Sequence, residues 1–389
     1  VLPLALIWRN LWRNPLRSGL TLASVAASLF LFTLLRGLVD SMRDVAGHCA
    51  RELRLVVHHR TSMTYLLPLG HGARLAGLPG VRAVCAVRWF GGRLENSPEQ
   101  FPSLAAEPQG LEEVYSDFDL AAEELEQWRH RRAAAIVGAE LAARCGWQPG
   151  RRVTLRGSIP PYPAMEFEIV AITQARGYGN LFVLRLDYLL DVIRAANSQP
   201  AYYADSVNFF WVKARDLAAL DALSRLIDEL FSRSDAPTRT EPEHAFVAQF
   251  TRMFGDIPTI LEAVGLIVIA SILLAILNTT AIALRERTGE LAVLRAIGYS
   301  QSRLLAATLA ESTLLGYLGG LIGVLAAWAV AGGSTTDGLS IPYFPVVSVS
   351  PVTALIGLAA GTLAGLLAGL PPARHVARLP VSCTLREAV

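Results

Sequence analysis

The residues most able to do chemistry are four cysteines, seven histidines and the carboxylates, and their spacing decides which of them could act together. Cys49, Cys85, Cys145 and Cys383 form no Cys-x-x-Cys pair and have no histidine at zinc-ligand intervals, so no metal or redox centre is expected and the thiols read as isolated, mostly buried groups. His58 and His59 are neighbours in the strand-like run LRLVVHH, where adjacent side chains point to opposite faces and make poor co-ligands. Glu112, Glu113, Glu123, Glu124 and Glu126 read as a solvated helical face rather than an acid–base pair. Lys213 is the sole lysine; it lies in WVKARD with no glycine loop before it, whereas a phosphate-binding P-loop needs Gly-x-x-x-x-Gly-Lys-Ser/Thr. With no nucleophile elbow and no His-Glu-x-x-His either, no catalytic residue and no metal ligand is assigned, and the chain is expected not to be an enzyme by itself.

Composition explains what must hold these residues. Of 389 residues, 52% are hydrophobic and 17% charged, the balance of a membrane protein. A formal charge of +2 leaves no global basic excess for phosphates, so nucleic acid is not an expected partner. Hydropathy predicts four spans, at 18–39, 257–284, 304–331 and 352–371. The uninterrupted apolar part of the first reaches Leu35 and would cover about 25 Å as a helix; RGLVDSMRD follows it without an Ala-x-Ala-like site, which favours a retained anchor over a cleaved signal.

Arginine placement orients the spans. Arg9, Arg13 and Arg17 precede the first; Arg285, Arg287, Arg295 and Arg303 face only Glu286 and Glu290 in the 285–303 loop; and Arg374, Arg378 and Arg386 face Glu387 in the 372–389 tail. The 332–351 loop has no basic residue, and 40–256 carries 24 basic against 27 acidic residues. Both termini and 285–303 are therefore expected in the cytoplasm, and 40–256 and 332–351 outside.

The 40–256 insert reads as an α+β domain, giving an α-helical membrane protein with four spans and a large extracytoplasmic domain between the first two. Strand-like runs occur at 81–90, 151–157, 166–172 and 206–213. IVGAELAARCGW reads as a helix stopped by Gly146, and LAALDALSRLIDELF sets Leu217, Leu220, Leu223, Leu226, Ile227 and Leu230 on one face. The rhythm of 135–172 suggests a small β-rich insertion, hence two external subdomains.

Three membrane-proximal patterns remain. Residues 1–17 form a basic amphipathic helix, with Trp8 and Trp12 at headgroup depth and Arg9, Arg13 and Arg17 toward anionic lipid. The loop ALRERTGELAVLRAIGYS alternates charge at helical spacing and ends at Gly298 before Ser300, a cap for the third span. Gly316, Gly320 and Gly323, and Gly357, Gly361, Gly365 and Gly369, set small residues on one face of the third and fourth spans, suited either to packing within one subunit or to a dimer or sliding interface. Glu311 would be costly unpaired in mid-bilayer; Asn278 and Thr279 suit inter-helix hydrogen bonds, and Arg36 lies at the outer end, readily hydrated.

The run RERTGELAVLRAIGYSQSRLL, with Glu311 and LLGYLGGLIGVL after it, resembles the signature of the FtsX-like/MacB-like ABC transporter permease family, and PPARHVARLPVSCTLREA is similar to that family's closing segment. AAAIVGAELAARCGWQPGRRVTL resembles its periplasmic core domain. The resemblance implies a permease in a bacterial inner membrane, paired with a second permease copy, identical or not, and with two copies of an ATP-binding subunit. ATP and magnesium would be held by that subunit, and no cofactor by this chain. It implies a coupling helix at Arg285–Gly298 seated on the ATPase, taking in Arg285, Arg287 and Gly298, with Glu286, Glu290 and Arg295 as polar contacts and Leu291 and Leu294 as apolar ones. Movement would pass to the external domain by mechanotransmission, for efflux or lipoprotein extraction, with a periplasmic adaptor and outer-membrane channel as further partners. The alternative within the family is a signalling scaffold that activates an external hydrolase without transport.

Overall fold

The computed structural model describes residues 14–51, 53–94, 100–158, 161–175, 177–196, 201–216, 220–252, 256–331 and 347–378. These fall into two compact units: a helical one, from residues 14–40, 257–331 and 347–378, and a mixed one between residues 41 and 256. The expected amphipathic helix with Trp8, Arg9, Trp12 and Arg13, most of the 332–351 loop, Leu217, Cys383 and the last part of the tail lie outside the described residues.

The chain enters through α1 (Pro15–Arg51), a single helix that continues well past the apolar stretch. The mixed unit then runs β1 (Arg54–His59), β2 (Leu67–Pro68), α2 (His71–Ala76), β3 (Val81–Trp89), β4 (Gly92–Leu94), β5 (Ser103–Ala106), α3 (Pro108–Val114) and α4 (Ala122–His130). It continues through β6 (Ala134–Gly138), α5 (Ala139–Cys145), β7 (Arg152–Ser158), β8 (Pro161–Thr173), β9 (Phe182–Arg185) and α6 (Leu186–Ala196). β10 (Ser206–Val207), β11 (Phe209–Ala214), α7 (Leu220–Phe231), β12 (Thr238–Pro242) and α8 (Glu243–Arg252) complete it.

Among the described residues ten strands form one sheet in the order β12-β1-β11-β3-β5-β9-β6-β8-β7-β4, and β2 pairs with β10 apart from it. β5–β9 and β6–β8 are parallel and the other pairs antiparallel. Only Phe90 and Gly91 separate β3 from β4, although five strands lie between them in the sheet. The sheet must therefore curl until its last strand returns beside β3, and Phe90, Phe101, Phe167 and Phe182, all at most 1% exposed, fill that curl. Their rings meet edge-on or tilted, with Phe90–Phe167 at 5.9 Å and Phe167–Phe182 at 5.5 Å. Alternation along β3 sends Cys85 and Val87 to one core and Ala86 to another, so both faces of the sheet are apolar and covered.

Several sequence expectations change here. The strands of 135–172 continue the same sheet and do not build a separate one. Ile136–Gly138, read as helix, ends β6; a short apolar run buried on both sides fits a strand as well as a helix, and the helix begins only at Ala139. Gly146 does stop α5, with φ +63. On α7, Leu223 and Ile227 are buried but Leu226 is exposed. His58 and His59 diverge as expected, His58 being 2% exposed and His59 stacked at 5.3 Å on the exposed Tyr65.

The helical unit adds α9 (Ile257–Glu286), α10 (Thr288–Ala296), α11 (Gln301–Val330) and α12 (Pro351–Arg378) to α1. Among the described residues four helices are long and apolar enough to cross a membrane: Pro15–Asp44, Ile257–Glu286, Gln301–Val330 and Pro351–Arg374. α12 runs through Pro371 and Pro372 where the sequence suggested a tail from 372; the prolines cost it helix donors without breaking it. Val25, Leu29, Ile272, Ile276, Ala364 and Ala368 form the centre of this unit.

Candidate functional site

The segment between α9 and α11 is built as a rigid corner. α9 ends at Glu286, Arg287 takes a non-helical conformation, and α10 starts at Thr288, whose hydroxyl donates back to the Arg285 carbonyl at 2.5 Å. At the other end Gly298 has φ +104, the left-handed conformation that favours glycine. The Gly298 amide donates to the Arg295 carbonyl and the Tyr299 amide to the Leu294 carbonyl, both at 3.0 Å, so the last carbonyls of α10 are satisfied by a Schellman turn. Ser300 occupies the N-cap of α11 with extended backbone, but its side chain makes no capping bond, contrary to its expected role.

Two ion pairs hold this corner to the helices. Arg17 Nη1 lies 2.6 Å from Glu286 Oε2, and Asn14 Nδ2 donates to the same oxygen at 3.4 Å, tying α1 to the end of α9. One turn above, the Thr21 and Thr279 hydroxyls are 3.0 Å apart. Arg287 Nη1 lies 3.3 Å from both oxygens of Glu311, with 11% and 19% of the two side chains exposed. Glu311 is thus paired, and Arg287, assigned by the resemblance to the coupling segment, turns inward to α11. Asn278 is exposed rather than set between helices, and Arg36 pairs with Asp40, which also accepts from the buried Thr353 hydroxyl at 2.9 Å.

The outward face of the corner differs from the expected one. Arg285, Glu286 and Glu290 are exposed, but Leu291, Leu294 and Arg295 are half-buried. The exposed apolar groups are Val293, Ile297 and Tyr299, Ile297 at 73%. The resemblance pointed instead to Leu291 and Leu294; the sequence signal for the exposed group was an apolar Ile297 placed immediately before the stop glycine.

The glycines of α11 and α12 meet within the chain. A Cβ on Gly316 would collide with the Gly361 carbonyl oxygen and stand 3.1 Å from Gly365 Cα. One on Gly361 would stand 2.8 Å from the Gly316 carbonyl oxygen, and one on Gly365 2.5 Å from that of Ser312. Gly369 faces Ser312, Gly323 lies against the Ala26 carbonyl of α1, Gly357 against Thr33, and Gly320 has ordinary contacts with Leu29 and Leu358. Small residues here serve close backbone approach inside one subunit.

In the mixed unit the polar core belongs to Arg54. Its Nε donates to Glu243 Oε2 at 2.5 Å, its Nη1 to Asp117 Oδ1 at 2.7 Å and its Nη2 to Tyr178 Oη at 3.3 Å. Glu243 Oε1 accepts from the hydroxyls of Tyr115 at 2.5 Å and Tyr178 at 2.9 Å. Burial by itself would lower the Arg54 pKa, but Tyr115, Tyr178, Glu243 and Asp117 outweigh it and hold the guanidinium charged; burial and Glu243 push the Tyr115 phenol up. Lys213, 8% exposed, donates to Ser116 Oγ at 3.0 Å and the Val114 carbonyl at 3.4 Å. Cys85 is buried, its thiol pushed up by burial, and forms no disulfide, nor does Cys145. Among the described residues no group of three or more metal-ligating side chains occurs.

Residues 263–381 match the family model described as FtsX-like permease C-terminal. The chain is 23% identical over 413 residues to the pyoverdine export ATP-binding/permease protein PvdT of Pseudomonas entomophila, covering 98% of this chain and 59% of that protein. Over 115 residues it is 34% identical to the macrolide export ATP-binding/permease protein MacB of Sodalis glossinidius, 29% of this chain and 17% of that one. The chain thus spans about three fifths of the length of the relatives it matches from end to end. Among solved structures, the periplasmic region of MacB from Actinobacillus actinomycetemcomitans aligns with a TM-score of 0.33 at 11% identity, over 51% of this chain and 92% of that one. The extracellular domain of the noncanonic ABC-type transporter YknZ from Gram-positive bacteria aligns at 0.32 and 12% identity, over 48% and 99%.

Proposed function

Since this chain carries an FtsX-like permease domain and is homologous to the MacB and PvdT permease proteins, we propose that it is the permease part of an ATP-driven exporter whose nucleotide chemistry is done by an ATP-binding subunit or domain. The observation that carries the reading is α10: a short helix whose exposed apolar groups, Val293, Ile297 and Tyr299, sit beside exposed Glu290 on a corner fastened to α1, α9 and α11. Exposed apolar side chains ringed by charge mark a protein contact, and the fastening lets a push on α10 move three helices at once. In this reading α10 is the coupling helix, two ATP-binding units with ATP and magnesium dock on a pair of permeases, and the helices relay the stroke to the domain between α1 and α9. That domain lies outside an inner membrane, and both chain ends lie in the cytoplasm. Export is the activity for which the PvdT and MacB relatives are named, of pyoverdine and of macrolides.

The test is assembly. Co-expressed with its ATP-binding partner, the wild-type chain should co-purify and alter ATP hydrolysis, and Ile297→Asp or Glu290→Arg should reduce co-purification at least tenfold while leaving the melting temperature of the chain within about 2 °C. Normal assembly and normal hydrolysis with both variants would show that α10 is not the docking element.

A further inference from the structure

The mixed unit begins and ends at one buried charge cluster. Arg54 stands three residues after the end of α1, and Glu243 opens α8, fourteen residues before α9 starts. β1 and β12 pair antiparallel with Val56 opposite Glu241 and Leu55 opposite Pro242, and one further step of that register sets Arg54 opposite Glu243. The incoming and outgoing chain are therefore joined by a carboxylate–guanidinium bond one step beyond the last rung of their ladder. On the other side of β1, Arg54 pairs in register with Lys213 of β11, which would set two cations side by side in a core. Asp117 and Glu243 supply two carboxylates, and the four groups are 0%, 8%, 18% and 3% exposed for Arg54, Lys213, Asp117 and Glu243. The Tyr115 ring covers the guanidinium at 4.2 Å. Every partner is satisfied, and removing one leaves the others charged in a core.

We propose that this cluster is a clamp that makes β1 and α8 move as one body, so that strokes arriving through α1 and α9 reach the sheet together. The clamp itself is read from the mixed unit alone; its use in transmission rests on the permease reading above. Arg54, Asp117, Glu243 and Lys213 are positioning residues, and the chain's single lysine balances the cluster's charge. A structure that only needed stability would be served as well by apolar residues of similar volume, whereas a directional ion pair fixes the register of two strands that lead to different helices.

Hydrogen exchange on the full chain in lipid nanodiscs tests it. Glu243→Gln, nearly isosteric, should raise exchange in β1 and α8 at least tenfold and leave β6, β8 and β9 unchanged; Asp117→Asn, at the most exposed member, should give a smaller rise in the same elements. Unchanged exchange in β1 and α8 overturns the clamp. With the ATP-binding partner present, trapping the nucleotide state should alter exchange across the wild-type sheet but only locally in Glu243→Gln, and a Val56→Cys/Glu241→Cys disulfide, two rungs along on the same face, should restore the wild-type response when oxidised and not when reduced. Failure of the oxidised disulfide to restore it overturns the transmission role. A wild-type chain that recruits no ATP-binding partner overturns the permease reading instead, while the nucleotide-free arm still decides the clamp.

Discussion

A carboxylate in the third turn of an apolar helix is tolerable only with a partner, and Glu311 finds one in Arg287, just outside the same apolar layer. Breaking a buried pair from one side costs roughly 3–5 kcal/mol, and partial exposure reduces that here. Glu311→Gln should therefore destabilise the helical unit by about 2 kcal/mol, and Arg287→Met with Glu311→Leu should recover most of the loss, as read by denaturant-driven unfolding in micelles. A non-additive recovery is the signature of direct pairing. His58 offers a second single-residue test. Burial lowers its proton affinity below the ordinary 6.5, against the upward pull of the His59 carbonyl, Glu241 and Asp228, while Arg239 lowers it further. The unfolded chain then binds a proton as pH falls below 6.5 that the folded chain refuses, so stability is present above 6.5 and lost below it, by at most about 1.4 kcal/mol per pH unit. Melting temperature measured from pH 7.5 to 5.5 should fall, and His58→Phe, beside Phe246 at 5.7 Å, should flatten part of that slope. An unaltered slope would place the linkage on other histidines.

At the scale of elements, glycines in similar sequence settings have opposite consequences. Gly289 in α10 has no atom within 4 Å of its would-be Cβ, so Gly289→Ala should raise helix stability by up to about 1 kcal/mol. Gly316→Ala drives a methyl into the backbone of α12 and should cost roughly 1–3 kcal/mol or prevent the helix pair from closing. Unfolding midpoints of the two variants measured side by side decide it, and equal shifts would remove the close-approach argument. The fourfold glycine spacing was legible as a packing face, but its partner was not, because a stripe carries no information about whether the facing backbone is in the same chain. The corner shows the same limit. Alternating charge and Gly298 marked a short helix and its end, since capping and helical period are local. The inward turn of Arg287 depends on Glu311, 24 residues on and in another helix. Strands at 81–90, 151–157 and 166–172 followed from short runs rich in Val, Ile, Thr and aromatic residues mixed with charge, whereas AAIVG, apolar throughout, carries no period, and the order of ten strands rests on pairings that no single run encodes.

Across the whole molecule, charge separates where apolar length separates. The three segments expected inside carry ten basic and three acidic residues, and the 40–256 segment a small acidic excess. In the proposed topology the four helices of spanning length among the described residues each cross once, so the α9–α11 corner would face one side of the membrane and the 40–256 segment the other. Ion pairs bracket the apolar stretch of α1, Arg17 with Glu286 at its start and Arg36 with Asp40 at its end. In a chain whose four native cysteines are replaced by alanine, Ile297→Cys, 73% exposed, and Tyr65→Cys, 58% exposed, report the two sides directly. A membrane-impermeant maleimide added to spheroplasts should label position 65 within minutes and leave position 297 unlabelled until the membrane is permeabilised. The opposite pattern would invert the molecule and remove α10 from the reach of any cytoplasmic ATP-binding partner. Labelling of both positions in intact spheroplasts would require an even number of crossings between them and would rule out the single passage of α9 between the mixed unit and the corner.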